Sequence, residues 1–256
     1  MISERQPRQG AQAIRRALSV LRLLAAGRDT GVPLSEVVKA TALSRPTVHR
    51  IVHVLIEEGI VERNAAGRYA IGGQVGELAL ARPSRSPLLV AAEPHLARAS
   101  EVLGDTLFLT VRTGLDTLSV ARRIGAYPIQ VLSIEVGARR PLGVSSAGVA
   151  ILAALPATEA RKIVATNAVR FEPYRTTPAV VLARIQAARR RGYGIADVGL
   201  VQGTKSISVW IKNPDGAPVA AITLSAIRNR LGPRREADVA DTLLATARAV
   251  EMEMAG

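Results

Sequence analysis

The chain contains no cysteine, which excludes disulfides, thiolate metal sites and thiol nucleophiles together. Aromatic residues are scarce, with one Trp, four Tyr and two Phe among 256 residues. Lysine is nearly absent: of 34 basic residues 30 are arginine. Long apolar runs are missing as well. The longest notable uncharged stretch, Pro141 to Thr158, has a steady apolar segment only from Ala147 to Leu155, far short of the ~20 residues that span a bilayer. The start, MISERQPRQG, is polar and Pro-interrupted, without the apolar run of a secretory signal. These absences predict a soluble cytoplasmic protein with no membrane partner.

What is present is a large apolar fraction, 48%, beside 21% charged residues, which excludes a wholly disordered chain. The length suits one large or two modest domains. Acidic residues number only 21, giving a net charge of +13 and pointing to a polyanionic partner. That excess is spread out, with +5 in residues 1–82 and +8 in 83–256. Arginine forks suit phosphate and carboxylate, although a GC-rich genome produces the same bias.

Periodicity divides the chain. Residues 1–10 read as a flexible tail. Apolar residues recur at helical spacing from Gln12 to a stop at Gly27, and helices follow at Leu34–Thr41 and from the N-cap Ser44 to Glu58. IVERNAAGRYAIG then alternates around Asn64-Ala65-Ala66-Gly67, the grammar of a hairpin. Three helices and a hairpin over residues 11–72 predict a winged helix-turn-helix. Residues 73–87 hold a small-residue linker helix and a Pro/Ser-rich joint. Residues 88–256 interleave helices at 88–103, 146–155, 158–167, 178–191 and 233–254 with strands at 106–112, 117–123, 193–197, 205–212 and 218–225. The βαβ rhythm is absent, so a mixed sheet with helices is expected, in an α+β protein overall.

On a wheel of the third helix, Val48, Ile51, Val52 and Leu55 gather on one side; Pro46, His49, Arg50, His53 and Glu57 lie opposite. Arg45 and Thr47 occupy the first turn, where the helix dipole favours phosphate. Such a face is able to read base edges in a major groove, with Arg63 and Arg68 flanking the hairpin turn as wing contacts and Glu57 beyond the groove. A merely solvated face has the same composition, and a winged helix that grips protein instead of DNA is the alternative.

The segments AIRRALSVLRLLAAG, LSEVVKATALSRPTVHRIVHVLIEEGIVER and GRYAIG resemble the N-terminal domain of the IclR family of bacterial transcription regulators. VGARRPLGVSSAGVAILAALP, RRGYGIAD and NPDGAPVAAITLSA resemble its C-terminal domain, so the likeness runs over residues 11–255. It implies a winged helix on double-stranded operator DNA, joined to a GAF-like domain that binds a small effector and helps form a dimer or tetramer. Arg45, Thr47, His49 and Arg50 match the recognition helix and Arg68 the wing. Val38 departs from the usual Ala and Ala42 from the usual turn Gly, leaving two possibilities: an alanine in the left-handed region, or another turn shape.

For the effector the resemblance points to VGARRPLGVSSAG, where Gly143, Ser145, Ser146, Ala147 and Gly148 allow close backbone approach. The serines suit either a helix cap or a ligand carboxylate. Ser206, Thr223 and Ser225 match further family contacts. Thr223 and Ser225 share one strand face, in a pocket wall or in ordinary cross-strand pairing. Gly143 replaces a usual His and Val149 a usual Lys. The acidic residues after RGY thin to Ala196-Asp197-Val198-Gly199, leaving Asp197 as the candidate contact. Arg139 and Arg140 either attract an anionic effector or face water.

Enzyme readings lack partners. His49 and His53 are four apart without a third metal ligand. Gly143-Val144-Ser145-Ser146-Ala147 misses the last glycine of a nucleophile elbow, and the only distant histidine for Ser145 is His95. There is no P-loop, and Gly192-Tyr193-Gly194 lacks a third glycine, so no catalytic residue, metal or cofactor is expected.

Overall fold

The computed structural model describes residues 11–27, 30–81, 86–132, 134–197 and 201–256. The chain divides into two compact units, Met1–Ser84 and Arg85–Gly256. The expected tail at 1–10, most of the Pro/Ser joint, and Val198 and Gly199 lie outside the described residues.

The first unit runs α1 (Gln12–Ala26), α2 (Leu34–Thr41), α3 (Arg45–Glu57), β1 (Val61–Arg63), β2 (Tyr69–Ile71) and α4 (Gln74–Leu80). Residues four apart share a helix face, so Val20 and Leu24 of α1 meet Val48 and Val52 of α3, with Val37, Val32 and Val61 completing the core. Val32 exchanges backbone hydrogen bonds of 2.8 and 2.9 Å with Tyr69 and so braces the hairpin. Ala42 stands in the left-handed region at φ 53°. The turn therefore keeps the shape that glycine would give it, at a cost of roughly 1–2 kcal/mol for an L residue.

The second unit comprises α5 (Pro87–Leu103), β3 (Thr106–Thr113), β4 (Asp116–Arg123), β5 (Arg139–Pro141), α6 (Ser146–Ala154), α7 (Ala157–Thr166), a 3-10 helix (Ala168–Tyr174), α8 (Pro178–Arg191), β6 (Gly194–Ala196), β7 (Thr204–Lys212), β8 (Pro218–Ile227) and α9 (Pro233–Ala255). Its sheet has the order β5-β4-β3-β8-β7-β6. Every pairing is antiparallel, so the expected mixed sheet is corrected. Tight turns at Gly114-Leu115 and Asn213 to Gly216 fold successive strands back on each other, and antiparallel pairing follows. Strand β5 has no apolar alternation; it forms by pairing with the edge of β4.

Side chains alternate across the sheet. Leu107, Leu109, Ile207, Val209, Ile211, Ile222 and Leu224 share a core with residues of α5 and α9. The intervening positions carry Thr110, Ser206, Ser208, Thr223 and Ser225, on the side approached by α6. Helix α6 is buried through its whole length up to Ala153, which explains its lack of any polar face. No described helix is long and apolar enough to cross a membrane.

Candidate functional site

Two places combine unspent charge with access. The first is the outer face of α3. Val48 and Val52 anchor the helix in the core, and that fixes Arg45, Pro46, His49, Arg50 and His53 outward, all exposed. Thr47 is half-buried, and its hydroxyl pairs with Ser44 at 2.8 Å. Ser44 is thus the N-cap residue by position, but its side chain makes no cap bond to the backbone. His53 Nδ1 meets Glu57 at 3.0 Å, so the glutamate of this face is paired within the helix. Arg45 and Arg50 have no carboxylate partner among the described residues. In the hairpin, Asn64 Oδ1 accepts from the N–H groups of Ala66 and Arg68 at 3.1 and 3.0 Å. Arg63 donates to the Gly67 carbonyl at 3.1 Å and lies over the Tyr69 ring. Arg63 spends one N–H on its own turn, and both Arg63 and Arg68 are exposed cations of the wing.

The second place is a cavity of about 850 Å³ inside the second unit. Ser145, Ser146, Ala147, Ser206, Thr223 and Ser225 line it, drawn together from the start of α6 and from β7 and β8. Ser225 stands opposite Ser206 in the sheet register, and Thr223 opposite Ser208. Ser145 caps α6 by accepting from the Gly148 N–H at 3.2 Å, and Ser146 Oγ meets Ser206 Oγ at 2.8 Å.

Three predicted residues are absent from the lining. Gly143 has φ 108°, and a Cβ there would come within 2.7 Å of Val181; it is needed for the turn into α6. A Cβ on Gly148 would press to 2.8 Å of the Gly143 nitrogen, so this glycine serves close packing. Asp197 follows the cavity-lining Ala196, and strand alternation turns it away. It is 66% exposed and pairs with Lys205 at 3.4 Å. Lys205 Nζ also reaches Glu236 at 2.6 Å, and that carboxylate holds the lysine above its ordinary pKa despite the opposing effect of burial.

The cavity also holds three basic groups, of which only Arg140 was a candidate from the sequence. Arg140, Arg175 and Arg184 line it, and among the described residues no acidic side chain does. None of the three has a carboxylate partner among the described residues. The adjacent pair 139–140 is split by strand alternation. Arg139 bonds Asp116 at 2.7 Å, and Arg170 holds the other carboxylate oxygen at 2.5 Å. Arg140 is left to the cavity, where desolvation pushes its guanidinium below the ordinary pKa. Asn167, fully buried, donates to the Leu115 carbonyl at 2.8 Å and the Leu142 carbonyl at 3.4 Å, which secures the loop between Arg140 and Ser145. Arg175 adopts φ 51° at the end of the 3-10 helix, a strained conformation of the kind that clusters at ligand sites. Ser119 and Thr176 contribute to the lining, but their hydroxyl oxygens are buried out of reach of the cavity space and have no hydrogen-bond partner among the described residues. Such orphaned atoms normally cost roughly 1–3 kcal/mol each.

Residues 13–65 match the family description "IclR helix-turn-helix domain", and residues 82–252 match "Bacterial transcriptional regulator IclR C-terminal". The chain belongs to the IclR family. Among curated relatives of this IclR protein, the Pca regulon regulatory protein of Pseudomonas putida is 30% identical over 201 residues, covering 77% of this chain and 68% of that one. The HTH-type transcriptional repressor AllR of Klebsiella pneumoniae is 28% identical over 249 residues, 96% of this chain and 90% of its own. An IclR regulator structure from Silicibacter matches with TM-score 0.80 and 26% identity, covering 95% of this chain and 96% of that one. An IclR homologue from Microbacterium hydrocarbonoxydans, solved with 4-hydroxybenzoate, matches with TM-score 0.69 and 25% identity over 95% and 99% of the two chains. The protein is a DNA-binding transcription regulator and not an enzyme. The hydrolase and protein-gripping alternatives fall away with that assignment. Ser145 has a capping role, and His95 is taken up by Glu253 at 2.7 Å.

Proposed function

We propose that the regulator senses a small carboxylate in the cavity of its second unit and reads operator DNA with Arg45, Pro46, Thr47, His49, Arg50 and His53 of α3 and Arg68 of the wing. One observation carries the ligand reading: three guanidinium groups without carboxylate partners among the described residues line one cavity to which no described residue contributes an acid. Arg140 is partly desolvated there, and a carboxylate supplies the missing opposite charge in a geometry that suits guanidinium forks. The bound 4-hydroxybenzoate of the Microbacterium hydrocarbonoxydans homologue supports an aromatic acid as the first compound to try. Ser145, Ser146, Ser206, Thr223 and Ser225 form the hydroxyl wall of this site; Gly143 and Gly148 shape it from behind.

The protein binds a palindromic or repeated operator as a dimer or tetramer. Exposed apolar residues support self-association: Ile14 and Leu18 on α1, and Leu78 and Leu80 on α4. Within that assembly the effector need only favour one placement of the paired winged helices. A differential affinity of ~1–3 kcal/mol changes operator occupancy severalfold to a hundredfold.

The test is a thermal-shift screen of small carboxylates, 4-hydroxybenzoate included, with each stabilising compound repeated in an operator-binding titration. A compound that stabilises and shifts DNA affinity supports the reading. Stabilisation with unchanged DNA affinity breaks the coupling, and a screen in which no carboxylate stabilises removes the ligand class.

A further inference from the structure

Four hydroxyls on the cavity side of the sheet form one hydrogen-bonded chain. Ser208 Oγ, fully buried, donates to Ser146 Oγ at 2.8 Å. It also lies 2.7 Å from Thr223 Oγ1, and Ser146 Oγ lies 2.8 Å from Ser206 Oγ. A hydroxyl has one hydrogen to give. Ser208 has given its own to Ser146, so Thr223 is the donor to Ser208. Three bonds therefore take up three of the four hydrogens. The fourth belongs to Ser206 when Ser146 donates to it, and to Ser146 when Ser206 donates. Both residues line the cavity, so the spare hydrogen is available to a ligand in either arrangement.

The direction of the chain matters as much as the count. Bonds that run head to tail polarise one another, so donation from Thr223 through Ser208 makes the last hydroxyl a stronger donor than an isolated serine. Ser146 also stands in the first turn of α6, where the helix dipole favours a negative partner. A carboxylate oxygen, the stronger acceptor, gains more from such a donor than an amide carbonyl does.

We propose that this four-hydroxyl chain makes the Ser146–Ser206 pair a polarised donor that selects a carboxylate oxygen at this point of the wall. Ser208, absent from the cavity lining, is its positioning residue. The inference rests on the reading of the cavity as a carboxylate site.

The experiment titrates the full-length protein with benzoate and with benzamide, following backbone amide shifts of Ser146, Ser206 and Arg140 by NMR. It is repeated in Ser208→Ala and in Thr223→Val, the latter a same-shape change that breaks the chain at its far end. In the parent, benzoate binds more tightly than benzamide. In Ser208→Ala, benzoate weakens about threefold to tenfold and benzamide less than about twofold, the size expected for one neutral hydrogen bond. Thr223→Val repeats the loss of preference and serves as the decisive variant should Ser208→Ala fail to fold. Equal weakening of both probes shows that Ser208 merely packs, and an unchanged preference shows that the chain does not polarise its end; either overturns the proposal. If neither probe moves any amide of the cavity wall, the carboxylate reading itself falls and takes this inference with it.

Discussion

The two units of this regulator use arginine in opposite ways. In the winged-helix unit Arg45, Arg50 and Arg68 stand on the surface, solvated and without a carboxylate partner among the described residues, ready for a partner as large as a duplex. In the second unit most of the paired arginines are clamped. Arg230 and Arg235 close on Asp105, a residue only 1% exposed, and Arg139 and Arg170 close on Asp116. Only against that background do Arg140, Arg175 and Arg184 stand out. A free arginine on a helix surface is ordinary; three of them lining one cavity, Arg140 and Arg184 half-buried, mark a candidate site.

The largest expected effect tests the clamped set. Asp105→Asn leaves two half-buried guanidinium groups opposite a neutral amide, and urea denaturation should show a loss of about 3–5 kcal/mol. A loss near that of a surface pair, about 0–1 kcal/mol, would break the contrast between structural and free arginines. Next, Arg50→Ala should weaken operator binding by about tenfold to a hundredfold, at 1–3 kcal/mol for a base-reading arginine, while carboxylate-induced thermal shifts stay as they were. The salt dependence of operator binding is the companion measurement, since phosphate contacts make log K fall steeply with log salt. Arg140→Gln should do the converse: carboxylate affinity falls about tenfold, in the range of a charge-assisted bond, and operator affinity without ligand is unchanged. Parallel losses of both activities in either variant would mean that the two arginine sets are not independent. The smallest effect is local to the first unit. Ala42→Gly relieves a left-handed alanine, and thermal melting should show a gain of roughly 0.5–1 kcal/mol.

The winged helix was legible because its face is written in consecutive residues. Helical spacing alone sorts Val48 and Val52 from His49, Arg50 and His53, and the hairpin announces itself through Asn64 to Gly67. Only the detail escaped: Arg63 turns back onto the Gly67 carbonyl, and Ser44 bonds Thr47 instead of the backbone. The cavity was legible in part, through the resemblance, which located Ser145, Ser146, Ser206, Thr223 and Ser225. Asp197 was misplaced because one residue beyond Ala196 the strand ends and the side chain faces Lys205. Arg175 and Arg184 carried no signal, since a lone arginine in a loop or on α8 reads as solvated. The pair 139–140 was ambiguous until β5 formed on the edge of β4 and sent its two side chains to different faces.

The amino-acid sequence by itself determined the family, the two-unit plan and the face of α3, because short-range periodicity and a dense run of motifs are local properties of the chain. Tertiary structure alone decided which arginines are free. That depends on where a carboxylate more than twenty residues away comes to rest, as Asp116 does for Arg139, and on the antiparallel register that puts Ser206 beside Ser225 and Ser208 beside Thr223. Charge pairing and hydroxyl pairing act through space, and only the folded sheet sets those distances.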